Sequence, residues 1–302
     1  MAGNNQLTNS KDSSNKNKYI VEFVTEKIFL ISALIAVLSL LLIIGFVFYK
    51  GLTPFIIKGY SLSEFLFGTE WVPSNDKFGI LPMILGSLYA TIGSLIIGAP
   101  IGILTATFIV EVAPKGISKL ISPAVELLAG IPSVLYGVFG VAFIVPNIQK
   151  IFKLPKGQSL FAVIIVLSVM MLPTIITISE TAIKAVPKVY KEGSLALGAS
   201  KTETTFKVIL PAARSGILAA VVLGVGRAIG ETMAVILVAG NSPVIPKSIM
   251  DSVRLLTTNI ALEMGYAFGT HQEMLFATGV VLFMFILILN LILTKISNKA
   301  GK

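Results

Sequence analysis

Six long apolar runs constrain this chain more than any other feature of its sequence. An α-helix rises about 1.5 Å per residue, so each run is long enough to cross about 30 Å of hydrocarbon. The sequence therefore predicts an all-α membrane protein with six transmembrane helices. The predicted spans are Ile28–Tyr49, Pro82–Val110, Pro123–Ile148, Leu160–Glu180, Gly216–Val238 and Glu273–Thr294.

The composition agrees with this class and excludes several kinds of chemistry. Hydrophobic residues make up 55% of the chain and charged residues only 13%, which is too few for an ordinary soluble surface. The chain has no cysteine, and His271 is its only histidine. A disulfide framework, a thiol nucleophile and a thiolate or histidine metal site are therefore not expected.

Lysine and arginine are unequally distributed between the two sides of the predicted spans. Both tails and one set of connectors carry fifteen of the 24 basic residues, the opposite connectors carry eight, and Arg227 lies inside the fifth span. The positive-inside rule then predicts a cell-membrane protein with both termini in the cytoplasm. Because the basic residues are spread over many connectors, they do not predict nucleic-acid binding. The fifteen are Lys11, Lys16, Lys18, Lys27, Lys115, Lys119, Lys184, Lys188, Lys191, Lys201, Lys207, Arg214, Lys295, Lys299 and Lys302.

The predicted organisation is one membrane domain with two polar ends. Residues 1–27 are rich in Asn, Ser and Lys and predict a disordered cytoplasmic tail, while residues 28–294 form the transmembrane domain and residues 295–302 a second tail. Trp71 lies in the outer segment Lys50–Leu81 together with several phenylalanines, a mixture typical of a membrane interface. We expect Trp71 to be an interfacial anchor.

The cytoplasmic connector between the fourth and fifth spans, at about residues 181–215, is longer than a simple link requires. It has the polar, helix-forming and amphipathic character of a docking element. We expect a partner outside the membrane to bind there.

The third span contains Gly130-Ile-Pro132-Ser133, which predicts a kink or break. Proline removes a backbone donor and clashes with the preceding turn of a helix. Irregular backbone inside a membrane is tolerated only where it is buried in protein or lines a wet cavity. A packing kink and a transport pathway are both open at this point.

The fifth span places Arg227 and Glu231 in the middle of an apolar run. An arginine at such depth costs about 2.5–3.5 kcal/mol on insertion scales, so it is expected to face protein or water. Glu231 lies four residues further on, so it shares the helix face of Arg227 and partly neutralises its charge. The pair is then either a structural ion pair or an anion site in which Glu231 weakens the attraction enough for release. Gly226 and Gly230 predict close approach of a second helix.

No phosphate-binding loop of the form Gly-x-x-x-x-Gly-Lys-Ser/Thr occurs in the sequence. The chain is therefore not expected to be an enzyme or to hydrolyse ATP. If ATP drives its activity, the nucleotide binds to another subunit.

The connector resembles a known element of membrane transport. Glu192-Gly193-Ser194, followed at fixed spacing by Gly198 and by Leu210-Pro211, is similar to the cytoplasmic EAA loop of binding-protein-dependent ABC importer permeases. Such a loop resembles two short helices that meet at a glycine and dock on an ATPase subunit. The chain departs from the name-giving residues, because Gly193-Ser194 replaces Ala-Ala.

Three further strings resemble the C permease subunits of Pst-type phosphate importers: residues 78–82, 129–137 and 226–235. The resemblance implies the type I ABC importer (MetI-like) permease fold and points to Arg227 and Glu231 as transport residues. It implies four partner subunits, namely an A-type permease, two ATPase subunits that bind ATP and Mg, and an extracytoplasmic phosphate-binding protein. No cofactor is implied for this chain.

Two alternatives stay open from the residues alone. A permease of this fold could carry another oxyanion such as sulfate, molybdate or phosphonate, because one arginine attracts all of them by charge. A non-transporting scaffold or sensor could use the connector only to recruit a partner, although Arg227 and Glu231 inside the membrane argue against it.

Overall fold

The protein consists almost entirely of helices. The structure is a computed structural model that describes residues 5–300. Two short strands, β1 (Trp71–Val72) and β2 (Lys77–Phe78), pair antiparallel. In chain order the α-helices are α1 Asn5–Ile56, α2 Leu62–Phe67, α3 Leu81–Thr107, α4 Lys115–Ala129, α5 Ser133–Phe139, α6 Val145–Phe152, α7 Leu160–Lys184, α8 Lys188–Ala196, α9 Lys201–Thr204, α10 Leu210–Gly230, α11 Met233–Val238, α12 Leu256–Glu263 and α13 Thr270–Ala300. One turn of 3-10 helix (Pro73–Asn75) and three π-helical turns (Phe108–Val112, Gly140–Ile144 and Thr205–Ile209) complete the regular structure of the described residues.

Six helical stretches among the described residues are long and apolar enough to cross a membrane, which confirms the predicted number and the all-α class. The stretches are Val21–Ile56, Leu81–Val112, Ser133–Phe152, Leu160–Lys184, Lys201–Gly230 and Thr270–Lys295.

The predicted disorder of the N-terminal tail is wrong for residues 5–27, which continue α1 without interruption. Once the apolar part of a helix is formed, each added residue gains a backbone hydrogen bond without a new nucleation step. Residues 1–4 of the predicted tail, and residues 301–302 of the second tail, lie outside the described residues.

The third span begins later than predicted. Gly130-Ile131-Pro132 breaks the chain as expected, but the break separates two helices instead of kinking one. The residues before it belong to α4, which carries Pro123 in its interior. The predicted span started at Pro123 because the second half of α4 is apolar and directly precedes the break.

The fifth span is not continuous to Val238. α10 ends at Gly230, Glu231 adopts an extended backbone (φ −69°, ψ 128°), and α11 starts at Met233. The prediction of one unbroken helix is therefore wrong.

Helix α7 lies at the centre of the packed core, between α3 and α10. Two glycines allow this approach: a Cβ on Gly102 of α3 or on Gly224 of α10 would lie within 3 Å of Ile175 in α7. Pro173 lies in the middle of the same helix. Because most residues of α7 are buried, its side chains determine how α3 and α10 pack against it.

A buried polar cluster around Glu263 lies on the predicted outer side. This side chain accepts hydrogen bonds from Arg254 Nη1 at 2.6 Å and from the indole Nε1 of Trp71 at 2.8 Å, and it lies 2.8 Å from His271 Nε2. Trp71 is 5% exposed. It is therefore a buried member of this cluster, and its prediction as an interfacial anchor is wrong.

Candidate functional site

Arg227 lies in the last turn of α10, and its side chain reaches α7. Its Nη1 donates to Thr174 Oγ1 at 3.4 Å. Thr174 follows Pro173 and lies fourteen residues after Leu160, about 21 Å along α7 at about 1.5 Å per residue. The guanidinium is therefore near the mid-depth of the helix bundle.

The same face of α10 is open in the described part of the chain. A Cβ on Gly226 or Gly230 would meet no atom of the described residues within 4 Å. Leu223, one turn before Arg227, is exposed as well. The predicted close approach of a second helix at Gly226 and Gly230 is thus not made among the described residues, where the α10 glycines in helix contact are Gly216 and Gly224, both against α7.

Glu231 does not pair with Arg227, contrary to the expectation for a continuous helix. Its Oε1 accepts from the backbone N of Ala234 at 3.0 Å, and its carbonyl O accepts from Thr257 Oγ1 at 3.1 Å. The residue is 9% exposed. Because its backbone leaves the helix, the side chain caps the first turn of α11 instead of lying one turn above Arg227.

The two interrupted spans meet next to this arginine. α11 packs against α5, and the Cβ that Gly137 lacks would lie 2.8 Å from Ala234 Cα. Tyr136 of α5 lies near Arg227, and its hydroxyl donates to Leu128 O at 2.7 Å across the break between α4 and α5. Tyr136, Thr174, Arg227 and Glu231 thus form one arrangement, here called the mid-depth site.

Arg227 has no carboxylate partner among the described residues, although Glu231 belongs to the same site. Arginine has five N–H donors in a planar fork, and the hydrogen bond that Arg227 makes within residues 5–300 goes to the neutral Thr174 hydroxyl. An arginine at this depth needs protein, water or an anion around it. The open face of α10 leaves room for an anion with several oxygen acceptors.

The connector contains one short helix, α8, that meets the start of a longer helical stretch at a glycine; the glycine turn is as predicted, but the second helix continues into α10. α8 ends before Gly198, whose φ of +87° is a left-handed conformation that L-residues rarely adopt. Ser200 then caps α9 in a capping box with Glu203. The turn therefore sets the angle between α8 and α9.

The first half of this loop is an uncovered surface. Every residue of α8 is exposed or half-buried, including Glu192, Gly193 and Ser194. Four apolar side chains are exposed here, and Leu197 is 91% exposed. Exposed apolar residues grouped on one helix are typical of a docking surface. The four are Val189, Tyr190, Leu195 and Leu197.

Leu210 and Pro211 stand apart from that surface. They lie in the first turn of α10, directly after the π-helical turn Thr205–Ile209, so the helical path is continuous from Lys201. Leu210 packs against a buried cluster that includes Ile209 and Ala213. The connector is thus shorter than the predicted residues 181–215, because α7 extends to Lys184.

Sequence reasoning missed Thr174. A hydroxyl residue directly after a mid-span proline was the available signal, since such side chains bond to groups that an irregular helix frees.

Comparison with protein families gives a match over residues 98–302 to the family described as "Binding-protein-dependent transport system inner membrane component". Similar proteins include the "Probable ABC transporter permease protein YqgH" of Bacillus subtilis, 44% identical over 92% of both chains. Another is the "Phosphate transport system permease protein PstC" of Haemophilus influenzae, 34% identical over 79% of this chain and 83% of that protein.

Solved ABC transporters share the fold. An inward-facing structure of the MetNI methionine ABC transporter has a TM-score of 0.60 at 19% identity and covers 74% of this chain and 96% of the solved one. A bacterial ABC transporter for alginate import has a TM-score of 0.61 at 20% identity and covers 89% and 96%. The type I importer fold implied by the family resemblance is confirmed.

Proposed function

Since this chain belongs to the binding-protein-dependent transport system inner membrane components, the permease subunits of ABC importers, we propose that it forms half of a pathway for inorganic phosphate. The relatives named for phosphate transport support this substrate. The observation that carries the proposal is Arg227, a cation without a carboxylate partner among residues 5–300, on an open face at mid-depth.

In this proposal Arg227 and Glu231 both serve transport, but in different ways. The Arg227 fork offers donors to the oxygens of phosphate, which suits a tetrahedral oxyanion. Glu231 fixes the end of α10 through its bond to Ala234 N, so that Arg227 is held in the final turn. Glu231 is then a positioning residue for the mid-depth site.

A second permease subunit must complete the lining of the proposed pathway beside Arg227. The open face at Leu223, Gly226 and Gly230 lies beside Arg227, and lipid would be a costly neighbour for that charge. We assign this face to an A-type permease subunit in a heterodimer, with phosphate passing between the two subunits.

The α8 surface is the proposed docking site for one of two ATPase subunits. ATP and Mg bind to those subunits, while an extracytoplasmic binding protein delivers phosphate to the opposite side. With the excess of basic residues inside, both termini and α8 face the cytoplasm. The exposed apolar residues of α8 support this arrangement.

The loop that carries α8 joins the two helices of the Arg227–Thr174 contact. α7 bears Thr174 and leads into the loop, and α10 bears Arg227 and leads out of it. A displacement of α8 would therefore change the distance between Thr174 and Arg227. Alternating access would combine this movement with capture and release of the anion.

The other candidate is a permease for a different oxyanion. The 44% identical relative is named only as a probable ABC transporter permease, without a substrate. Sulfate, molybdate and phosphonate present charged oxygens like those of phosphate, and Arg227 alone attracts all of them.

Reconstituted vesicles that contain the complete complex test the proposal. We expect ATP-dependent uptake of radiolabelled phosphate that excess unlabelled phosphate suppresses and excess sulfate or molybdate does not. Uptake suppressed by sulfate, or uptake of sulfate in its place, would assign the pathway to the other oxyanion.

A further inference from the structure

An ion pair ties α8 to a helix that does not adjoin it in sequence. Lys191 Nζ of α8 lies 2.5 Å from Glu111 Oε2. Glu111 belongs to the π-helical turn that ends α3, eighty residues earlier in the chain. α7 and α10 are joined to the loop by the backbone, whereas α3 is joined to it by this ion pair between side chains.

Glu111 is the more enclosed member of this ion pair. Its side chain is 8% exposed, whereas that of Lys191 is 40% exposed. A cavity of about 410 Å³ lies beside it between the end of α3 and the start of the α9 helix, with apolar walls from Phe108, Val112 and Phe206 and with Lys201 at its edge. Removal of Lys191 would leave this mostly buried carboxylate without its ion-pair partner.

The attachment of α8 to the core is otherwise sparse. Ser194 Oγ lies 3.0 Å from Thr204 Oγ1, which connects α8 to the following helix of the same loop. Within residues 5–300, Lys191 is thus the α8 residue with a side-chain polar contact outside the loop. The second ion pair of the loop, Lys207–Glu203, lies on exposed positions of a single helical stretch and links no separate elements.

We propose that Glu111 and Lys191 are positioning residues for transport, through which a movement of α8 reaches α3. This inference rests on the proposed docking of an ATPase subunit at α8. Since α3 packs along α7, moving its inner end together with α8 keeps the three core helices in step. Without the pair, the ATPase still binds and turns over, but α3 no longer follows.

The test compares variants of the reconstituted complex in three measurements: co-purification of the ATPase subunit, ATP hydrolysis, and uptake of labelled phosphate. For Glu111→Gln and Lys191→Met we expect full co-purification and hydrolysis but uptake lowered about tenfold, the size of effect typical of a lost coupling contact. Lys207→Met is the matched control, with uptake unchanged. The exchange Glu111→Lys with Lys191→Glu should restore uptake to about the wild-type rate.

Wild-type uptake by Glu111→Gln would overturn the inference, as would failure of the exchanged pair to restore uptake. Loss of the ATPase subunit in step with uptake would also overturn it, because the pair would then only support assembly. Failure of the proposed function looks different: the wild-type complex itself would hydrolyse ATP without taking up phosphate.

Discussion

The guanidinium of Arg227 lies 3.4 Å from the hydroxyl of Thr174, and this bond spans the two helices that the α8 loop joins. The bond is long and its acceptor neutral, so it orients the arginine without cancelling its charge. The proposed substrate contact and the proposed point of energy input are therefore connected by the backbone through α7 and α10.

Replacing Arg227 by alanine should abolish phosphate uptake while the complex remains assembled. Hydrogen bonds to charged groups contribute about 1.5–3 kcal/mol, so uptake should fall at least about tenfold. Uptake in reconstituted vesicles is the measurement, with size-exclusion chromatography as the assembly check. Arg214→Ala, an exposed arginine near the start of the same helix, is the control. Normal uptake by Arg227→Ala would remove this residue from the pathway.

Replacing Gly198 by valine should release the ATPase subunit. A left-handed conformation costs about 1–2 kcal/mol for an L-residue and is worse when the side chain is β-branched. α8 would then be presented at another angle, which a pull-down of the membrane complex detects. Gly193→Ala is the counterpart: the site is open, and alanine favours a helix by about 1 kcal/mol. Equal co-purification of both variants would argue against docking at α8.

Two substitutions at Glu231 separate its charge from its bond to Ala234 N. Glutamine keeps an oxygen acceptor, whereas alanine leaves a buried N–H unpaired at a cost of about 1–3 kcal/mol. We expect Glu231→Ala to lower the melting temperature and uptake, and Glu231→Gln to retain most of both. If the carboxylate charge itself is needed for release of the anion, Glu231→Gln will melt normally yet fail in transport.

The outer cluster can be followed through Trp71, the only tryptophan of the chain. Glu263→Ala removes the partner of Arg254, the indole and His271, and breaking a buried charge pair costs about 3–5 kcal/mol. We expect a red-shifted tryptophan emission and a lower melting temperature. Glu70→Ala breaks the exposed pair with Lys77 close to Trp71 and should cost at most about 1 kcal/mol. Similar losses in both variants would contradict a special role for Glu263.

The absence of cysteine makes the orientation directly measurable. Asn75 and Lys115 are exposed, in the outer hairpin and at the start of α4 respectively. A membrane-impermeant maleimide should label Asn75→Cys in intact cells or spheroplasts, and Lys115→Cys only after permeabilisation. The reverse pattern would invert the assigned topology.

Local signals predicted much of the fold. Apolar length gave six spans, and Gly198 and Gly130–Pro132 marked the turn and the break, because glycine and proline act on the backbone at their own positions. The break after Gly230 escaped prediction, since it depends on a side chain of Glu231 bonding to Ala234 N. A hydropathy value averaged over a whole span does not register a single hydrogen bond of this kind.

Long-range contacts were likewise outside the reach of the sequence. Thr174 and Arg227 are 53 residues apart, and Glu111 and Lys191 eighty. No periodicity connects such pairs, because only the packing of α3 and α10 on α7 brings them together. Trp71 was misplaced for the same reason, as Glu263 lies 192 residues away.

The end of α10 at Gly230 also bears on how long an anion can stay beside Arg227. The carbonyl end of a helix carries about half a negative charge, which opposes an anion at the place where the guanidinium attracts it. This repulsion comes from peptide dipoles and not from a titratable side chain. We therefore expect short dwell times at the mid-depth site, because the same turn of α10 that attracts the anion through Arg227 also repels it.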